Sequence, residues 1–192
     1  MAFKNTFFHL VAFPGVGKYT IAKVLQPLVD AKIVDNHLIN NALFSLIDLN
    51  APALPDAIWQ QTQKVREAVF HTIETMSPME YNFIFTNAIN ADDTYDQNIL
   101  NSVMNLAAKR NATYIPVRLS CDQEENIKRF TDTNRSNRLK PTNEQIIQRR
   151  IERNVQLIDI PHANLLNLDI THLSPEQTAE IILQHAASCS PD

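Results

Sequence analysis

Two periods of apolar residues alternate along this chain. Residues 7–13 form a nearly unbroken apolar run, aromatic and β-branched, interrupted only by His9, which predicts a buried strand. From 19 to 29 the apolar positions Ile21, Val24, Leu25, Leu28 and Val29 recur at helical spacing. A short strand over 31–34 ends at Asp35, and helical spacing resumes over 38–49. After Pro52 and Pro55 a long helix is predicted over 57–76, ending before Pro78. Residues 81–86 predict a third strand, a polar turn over 90–94 leads to a helix through Lys109, and 113–119 and 163–168 predict a fourth and a fifth strand. Asp122 with Glu125 predicts a capping box on a helix reaching Thr131, and Thr142 with Gln145 marks a further helix start. Ser174, Pro175 and Gln177 open the last helix with cap, first-turn proline and reciprocal partner in place.

Strands alternating with helices from end to end predict an α/β fold, a parallel sheet with helices on both faces. Ligands of such sheets bind beyond the C-terminal ends of the strands. Residues 1–192 read as a single domain, with no linker, internal repeat or low-complexity stretch.

Composition sharpens this picture at one place. The chain has only two glycines, Gly15 and Gly17, where roughly 13 are expected for its length. It has 19 asparagines, which tolerate the left-handed turn conformation that glycine usually supplies. At 44% hydrophobic and 20% charged residues it is ordinary globular protein. A net charge of -4 argues against a general nucleic-acid binder. Cys121 and Cys189 lack metal-ligand spacing, and six scattered histidines make zinc improbable. Free thiols are expected, in a reducing cytoplasm. The N-terminal apolar stretch is too short to span a bilayer, so no membrane association is expected.

The two glycines sit in Ala12-Phe13-Pro14-Gly15-Val16-Gly17-Lys18-Tyr19-Thr20, between a predicted strand and a predicted helix. This is close to the phosphate-binding loop G-x-x-x-x-G-K-[ST], with Ala12 for the first glycine. Such a turn points successive N–H groups at a phosphate, and glycine tolerates the backbone angles required. Lys18 adds a point charge for the β- and γ-phosphates.

The segment resembles the P-loop of the nucleoside-monophosphate-kinase-like branch, which includes adenylate kinases, shikimate kinases and chloramphenicol phosphotransferase-like enzymes. Pro14, Gly15, Gly17, Lys18 and Thr20 match the adenylate kinase pattern G-x-P-G-x-G-K-G-T, with Val16 at its variable position. The resemblance implies a three-layer fold on a five-stranded parallel sheet, ATP with Mg²⁺, and a small-molecule acceptor. Tyr19 departs from the pattern, standing where most P-loops place the Mg²⁺ hydroxyl; Thr20 is then the candidate, directly or through water. A second segment holds Arg129, Arg135, Arg138, Lys140, Arg149, Arg150 and Arg153, and planar guanidinium groups suit phosphate oxygens. By the resemblance, 131–143 is a lid, Arg135 and Arg138 meet the transferring phosphoryl group, and Arg129 stacks on the base. Arg138 and Arg149 share the eleven-residue spacing of the lid arginines.

On the acceptor side, helical region 37–79, Asp35 closes the second strand and stands where related enzymes orient or deprotonate an acceptor hydroxyl. The alternative for Asp35 is a helix cap. His37 and Arg66 are further acceptor candidates, and Trp59 is a candidate apolar contact or a partly buried helix residue. The third strand ends in Thr86-Asn87, with neither the acid nor the arginine that nucleotide kinases carry there. Asp92 and Asp93 follow, as metal-side acids or as a turn and cap. Few cations between strands two and three favour a neutral or weakly charged acceptor. Lys18, Asp35, Arg135 and Arg138 are thus the expected catalytic residues of an ATP-dependent phosphotransferase. The alternatives are a nucleotide-binding switch or slow NTPase, or a non-catalytic module acting through protein contacts.

Overall fold

The computed structural model describes residues 3–48, 55–131 and 144–189. Five strands, β1 (Thr6–Val11), β2 (Ala31–Asp35), β3 (Asn82–Asn87), β4 (Thr113–Ser120) and β5 (Leu166–Asp169), form one sheet in the order β2-β3-β1-β4-β5. Every pairing is parallel. Helices α1 (Lys18–Leu28), α2 (Asn36–Phe44), α3 (Ala57–Thr75), α4 (Thr94–Lys109), α5 (Gln123–Phe130), α6 (Glu144–Glu152) and α7 (Pro175–Ala186) complete the described elements.

Successive strand residues point to opposite faces, so an apolar run with helices on both sides is buried throughout. Phe8 and Leu10 face the cluster formed with Ile21, Ala22 and Leu25 of α1 and Ala179 and Ile182 of α7. Phe7 faces the other way, against Ile73 of α3 and Val103 and Leu106 of α4. Truncating either buried phenylalanine would cost about 3–5 kcal/mol. The parallel arrangement brings all five strand ends to one edge of the sheet, as the alternation of elements predicts.

Three elements differ from the sequence pattern by more than one residue at a boundary. β1 stops at Val11, because residues 12–17 leave the sheet to form the loop before α1. α2 begins at Asn36 and ends at Phe44. β5 begins three residues later than its apolar pattern, because His162 and Asn164 form a turn. Asn164 donates its N–H to His162 Nδ1 (3.1 Å) and its amide to the Tyr114 carbonyl (3.1 Å).

The capping box at Ser174 and Gln177 forms in full. At Asp122 only half of it forms. Asp122 Oδ1 accepts from the Glu125 N–H (2.7 Å), while the Asp122 N–H goes to Thr171 Oγ1 (2.9 Å) and the Glu125 carboxylate to Arg129. Three asparagines serve the expected turn role. Asn5, Asn111 and Asn154, with Asp30, are the non-glycine residues at positive φ among those described. Cys121 and Cys189 are free thiols.

Candidate functional site

The loop at the end of β1 is built on its two glycines. Gly15 has φ +92° and Gly17 has φ +116°, both in the left-handed region that side chains rarely enter. Gly15 is also sterically required. A Cβ there would lie 2.7 Å from Asn126 Nδ2 and 3.0 Å from Phe130 Cβ, so α5 packs directly on the turn. Around Gly17 nothing stands within 4 Å of the corresponding position. The first turn of α1 carries no acidic residue, which leaves its N–H groups and positive end uncontested.

Lys18 reaches back over the loop, its Nζ donating to the carbonyls of Ala12 (2.8 Å) and Phe13 (3.0 Å). Tyr19 is half-buried and Thr20 exposed. Asn126 holds the loop from the far side, donating to the Pro14 carbonyl at 3.0 Å.

Arg129 ties the loop to the neighbouring strand end. Its Nη1 donates to the Val16 carbonyl (3.0 Å), its Nη2 to the Ile170 carbonyl (3.2 Å), and its Nε to Glu125 Oε1 (2.7 Å). The fork thus sits between the P-loop and the turn after β5. Of the two arginines on α6, Arg149 is exposed and Arg150 turns inward. The Arg150 guanidinium lies 4.2 Å from the centre of the Phe13 ring and donates to Asn126 Oδ1 at 2.7 Å. Arg135, Arg138 and Lys140, and the segment 132–143, lie outside the described residues.

At the ends of β2 and β3, Asp35 is buried and faces Thr86, its partner in the strand register. The Thr86 hydroxyl donates to Asp35 Oδ1 at 2.7 Å. The same oxygen accepts from the His37 N–H at 3.3 Å, so Asp35 also caps α2. The helix cap expected as the alternative for Asp35 is thus formed. His37 is half-buried beside it.

Arg66 of α3 is 1% exposed, whereas Lys64 is exposed. Its Nη2 donates to Asn36 Oδ1 (2.7 Å) and its Nη1 to the Tyr95 hydroxyl (3.0 Å). Trp59 is 38% exposed and packs edge-on between Phe44 and Tyr95, with ring centres at 5.7 and 5.8 Å. An aromatic row thus flanks the approach to Asn36 and Asp35.

The end of β3 has other employment. Neutral His9, buried at the centre of the sheet, donates from Nε2 to Asn87 Oδ1 (3.0 Å) and accepts at Nδ1 from the Tyr114 hydroxyl (2.8 Å). Burial pushes the His9 imidazole down to about 4. Asp93 caps α4, accepting from the N–H groups of Tyr95 (2.8 Å) and Asp96 (3.3 Å), and Asp92 is exposed. Asp96 accepts from the backbone and side chain of Asn90, and burial raises its carboxyl to about 6. Among the described residues no group of three or more His, Cys, Asp or Glu side chains could hold a metal ion. No described helix is long and apolar enough to cross a membrane.

Sequence reasoning missed Asn126 and the His9 chain beside the loop and the strand ends. Thr86 was noted only as standing where an acid was expected, and Arg150 only as one of several arginines in its segment.

Solved structures resemble the chain over nearly its whole length. The tunicamycin resistance protein of Deinococcus radiodurans superposes with a TM-score of 0.60 at 17% identity, covering 97% of this chain and 99% of that one. The APS kinase of Mycobacterium tuberculosis, in complex with AMPPNP and APS, gives 0.60 at 10% identity, covering 97% and 99%. A gluconokinase from Sinorhizobium meliloti gives 0.60 at 10%, covering 96% and 93%. This chain has the P-loop kinase fold. The likeness at these identities is one of fold. No protein-family model and no curated protein matches the sequence.

Proposed function

We propose that this chain is an ATP-dependent phosphotransferase that moves the γ-phosphoryl group to a hydroxyl of a small molecule. One juxtaposition carries the reading: a glycine-built loop with Lys18 ends β1, and a buried carboxylate, Asp35, ends β2 one strand beyond its neighbour β3. Strands two places apart in a sheet are separated by about 10 Å, a span that a phosphoryl group and its acceptor would fill.

Loop N–H groups and the α1 N-terminus would hold the ATP phosphates from the open side of Gly17. Lys18 would exchange the Ala12 and Phe13 carbonyls for phosphate oxygens. Arg129 stands on the side assigned to the base. Asp35, oriented by Thr86, would align the acceptor hydroxyl for in-line attack and take up its proton. His37 and Arg66 lie on the acceptor side, with Trp59 offering an apolar edge. Arg135 and Arg138, and less directly Arg149, would bring positive charge as the lid closes. Mg²⁺ would arrive with the phosphates, be steadied by Thr20, and neutralise charge on the transferring group.

A second reading, a nucleotide switch or slow NTPase, draws support from Tyr19 at the metal-hydroxyl position and from Asn87 being committed to His9. ATP turnover measured against pools of small alcohols separates the two. Turnover that rises with one pool, with phosphate recovered on an alcohol, supports the transferase. Turnover indifferent to every pool supports the switch, and no ATP-dependent thermal shift at all removes both.

A further inference from the structure

A cavity of about 520 Å³ lies under α5, between the ends of β4 and β5 and the inner side of α6. Its size is that of small-molecule sites. Phe13 and Val16 of the loop form part of its lining, whereas Gly15, Gly17, Lys18 and Arg129 do not, so it adjoins the phosphate cradle without coinciding with it. Two arginines line it, Arg118 from β4 and Arg150 from α6. Neither pairs with a described carboxylate.

Arg118 spends one N–H on the Leu157 carbonyl at 3.1 Å. Arg150 spends Nη2 on Asn126, while its Nη1 is buried and has no hydrogen-bond partner. A buried guanidinium N–H without an acceptor is costly, and an anion would satisfy it.

The remaining lining charge does not cancel the arginines. Asp169 accepts from the Thr171 N–H (2.9 Å) and the Ser120 hydroxyl (3.4 Å), so its oxygens are already engaged. Cys121 is a thiol that burial pushes toward its neutral form. The lining therefore carries a net charge of about +1 at neutral pH.

We propose that this cavity, beside the P-loop, is a second ligand site for a small organic anion whose carboxylate or phosphate oxygens engage the guanidinium groups of Arg150 and Arg118. The site stands whether or not the chain transfers phosphate, and its test needs no ATP. Inorganic phosphate and malonate serve as probes, read by thermal shift on the full chain and on Lys18→Ala, Arg118→Met and Asn167→Phe. The last variant fills the cavity from β5 without removing a charge, and far-ultraviolet circular dichroism checks each fold.

The expected result is a concentration-dependent rise in melting temperature with at least one probe. It persists in Lys18→Ala and weakens at least about tenfold in both cavity variants. Preference between the probes tells phosphate from carboxylate. Loss of the rise in Lys18→Ala, its retention in the cavity variants, or no rise in the parent up to about 20 mM would each overturn the site.

Discussion

The hydroxyl of Thr86 donates to Oδ1 of Asp35 across 2.7 Å, joining the ends of two neighbouring strands through their side chains. A buried carboxylate needs such partners to offset its lost hydration and to hold its direction. Asp35→Asn should reduce phosphoryl transfer by at least about 100-fold while ATP binding, read by thermal shift, stays near the parent. Thr86→Val should cost about 1–3 kcal/mol of stability in urea unfolding and a smaller factor in turnover. Full activity in Asp35→Asn would remove the acceptor role and leave only the cap on α2.

The two glycines should respond differently to the same substitution. In Gly15→Ala the new methyl meets Asn126 and Phe130 as well as an unfavourable φ. A loss of about 2–4 kcal/mol is expected. In Gly17→Ala only the backbone conformation is strained, and about 1 kcal/mol is expected. Asn126→Ala placed on Gly15→Ala should restore part of the loss, whereas on Gly17→Ala it should restore none. Equal costs at the two positions would contradict the packing of α5 on the turn.

Lys18 holds two loop carbonyls in the absence of nucleotide, so its removal acts on the free protein as well. Lys18→Ala should abolish the shift given by ATP with Mg²⁺ while lowering the unliganded melting temperature by only a few degrees, about 1 kcal/mol or less. A parent that shows no shift at millimolar ATP would refute the nucleotide reading itself.

Two buried groups titrate in opposition. His9 has its folded-state pKa depressed from 6.5 to about 4, so the unfolded chain binds the proton first and stability falls as pH drops through that window. The full depression corresponds to about 3 kcal/mol. Asp96 is raised from 3.8 to about 6, so the folded chain binds the proton first and stability rises as pH drops from 6 to 3.8. Between pH 6 and 4 the two largely offset each other. Asp96→Asn keeps an acceptor for Asn90 and removes one of them. It should stabilise the protein at pH 7 and expose a steeper loss of melting temperature between pH 6.5 and 4. An unchanged pH profile in that variant would show that Asp96 does not titrate there.

The loop at the end of β1 was legible in the sequence because its physics is local. Strand, loop, Lys18 and helix are contiguous, and scarcity made Gly15 and Gly17 conspicuous. Asp35 was legible as an acid closing an apolar run. Thr86 was not, because its meaning depends on a register that pairs it with Asp35 from 51 residues away. His9 looked like an interruption of its strand until Asn87 and Tyr114 arrived from two other strands. Arg149 and Arg150 are adjacent, and a helix separates neighbours by about 100°. Spacing to another arginine therefore gave no sign of which would turn toward Phe13. β5 was misplaced because His162 and Asn164 form a turn inside what reads as a strand.

The central place of β1 has a consequence for how the protein comes into being. It is made before either of its neighbours, and both its edges must await residues 82–87 and 113–120. A phenylalanine-rich ribbon thus waits unpaired until β3 and β4 are made, and the loop at its end gains its full setting only then. Helices α2 and α3 come from one stretch between β2 and β3. That stretch can lengthen, shorten or be replaced as a cassette while the loop at the end of β1 stays as it is.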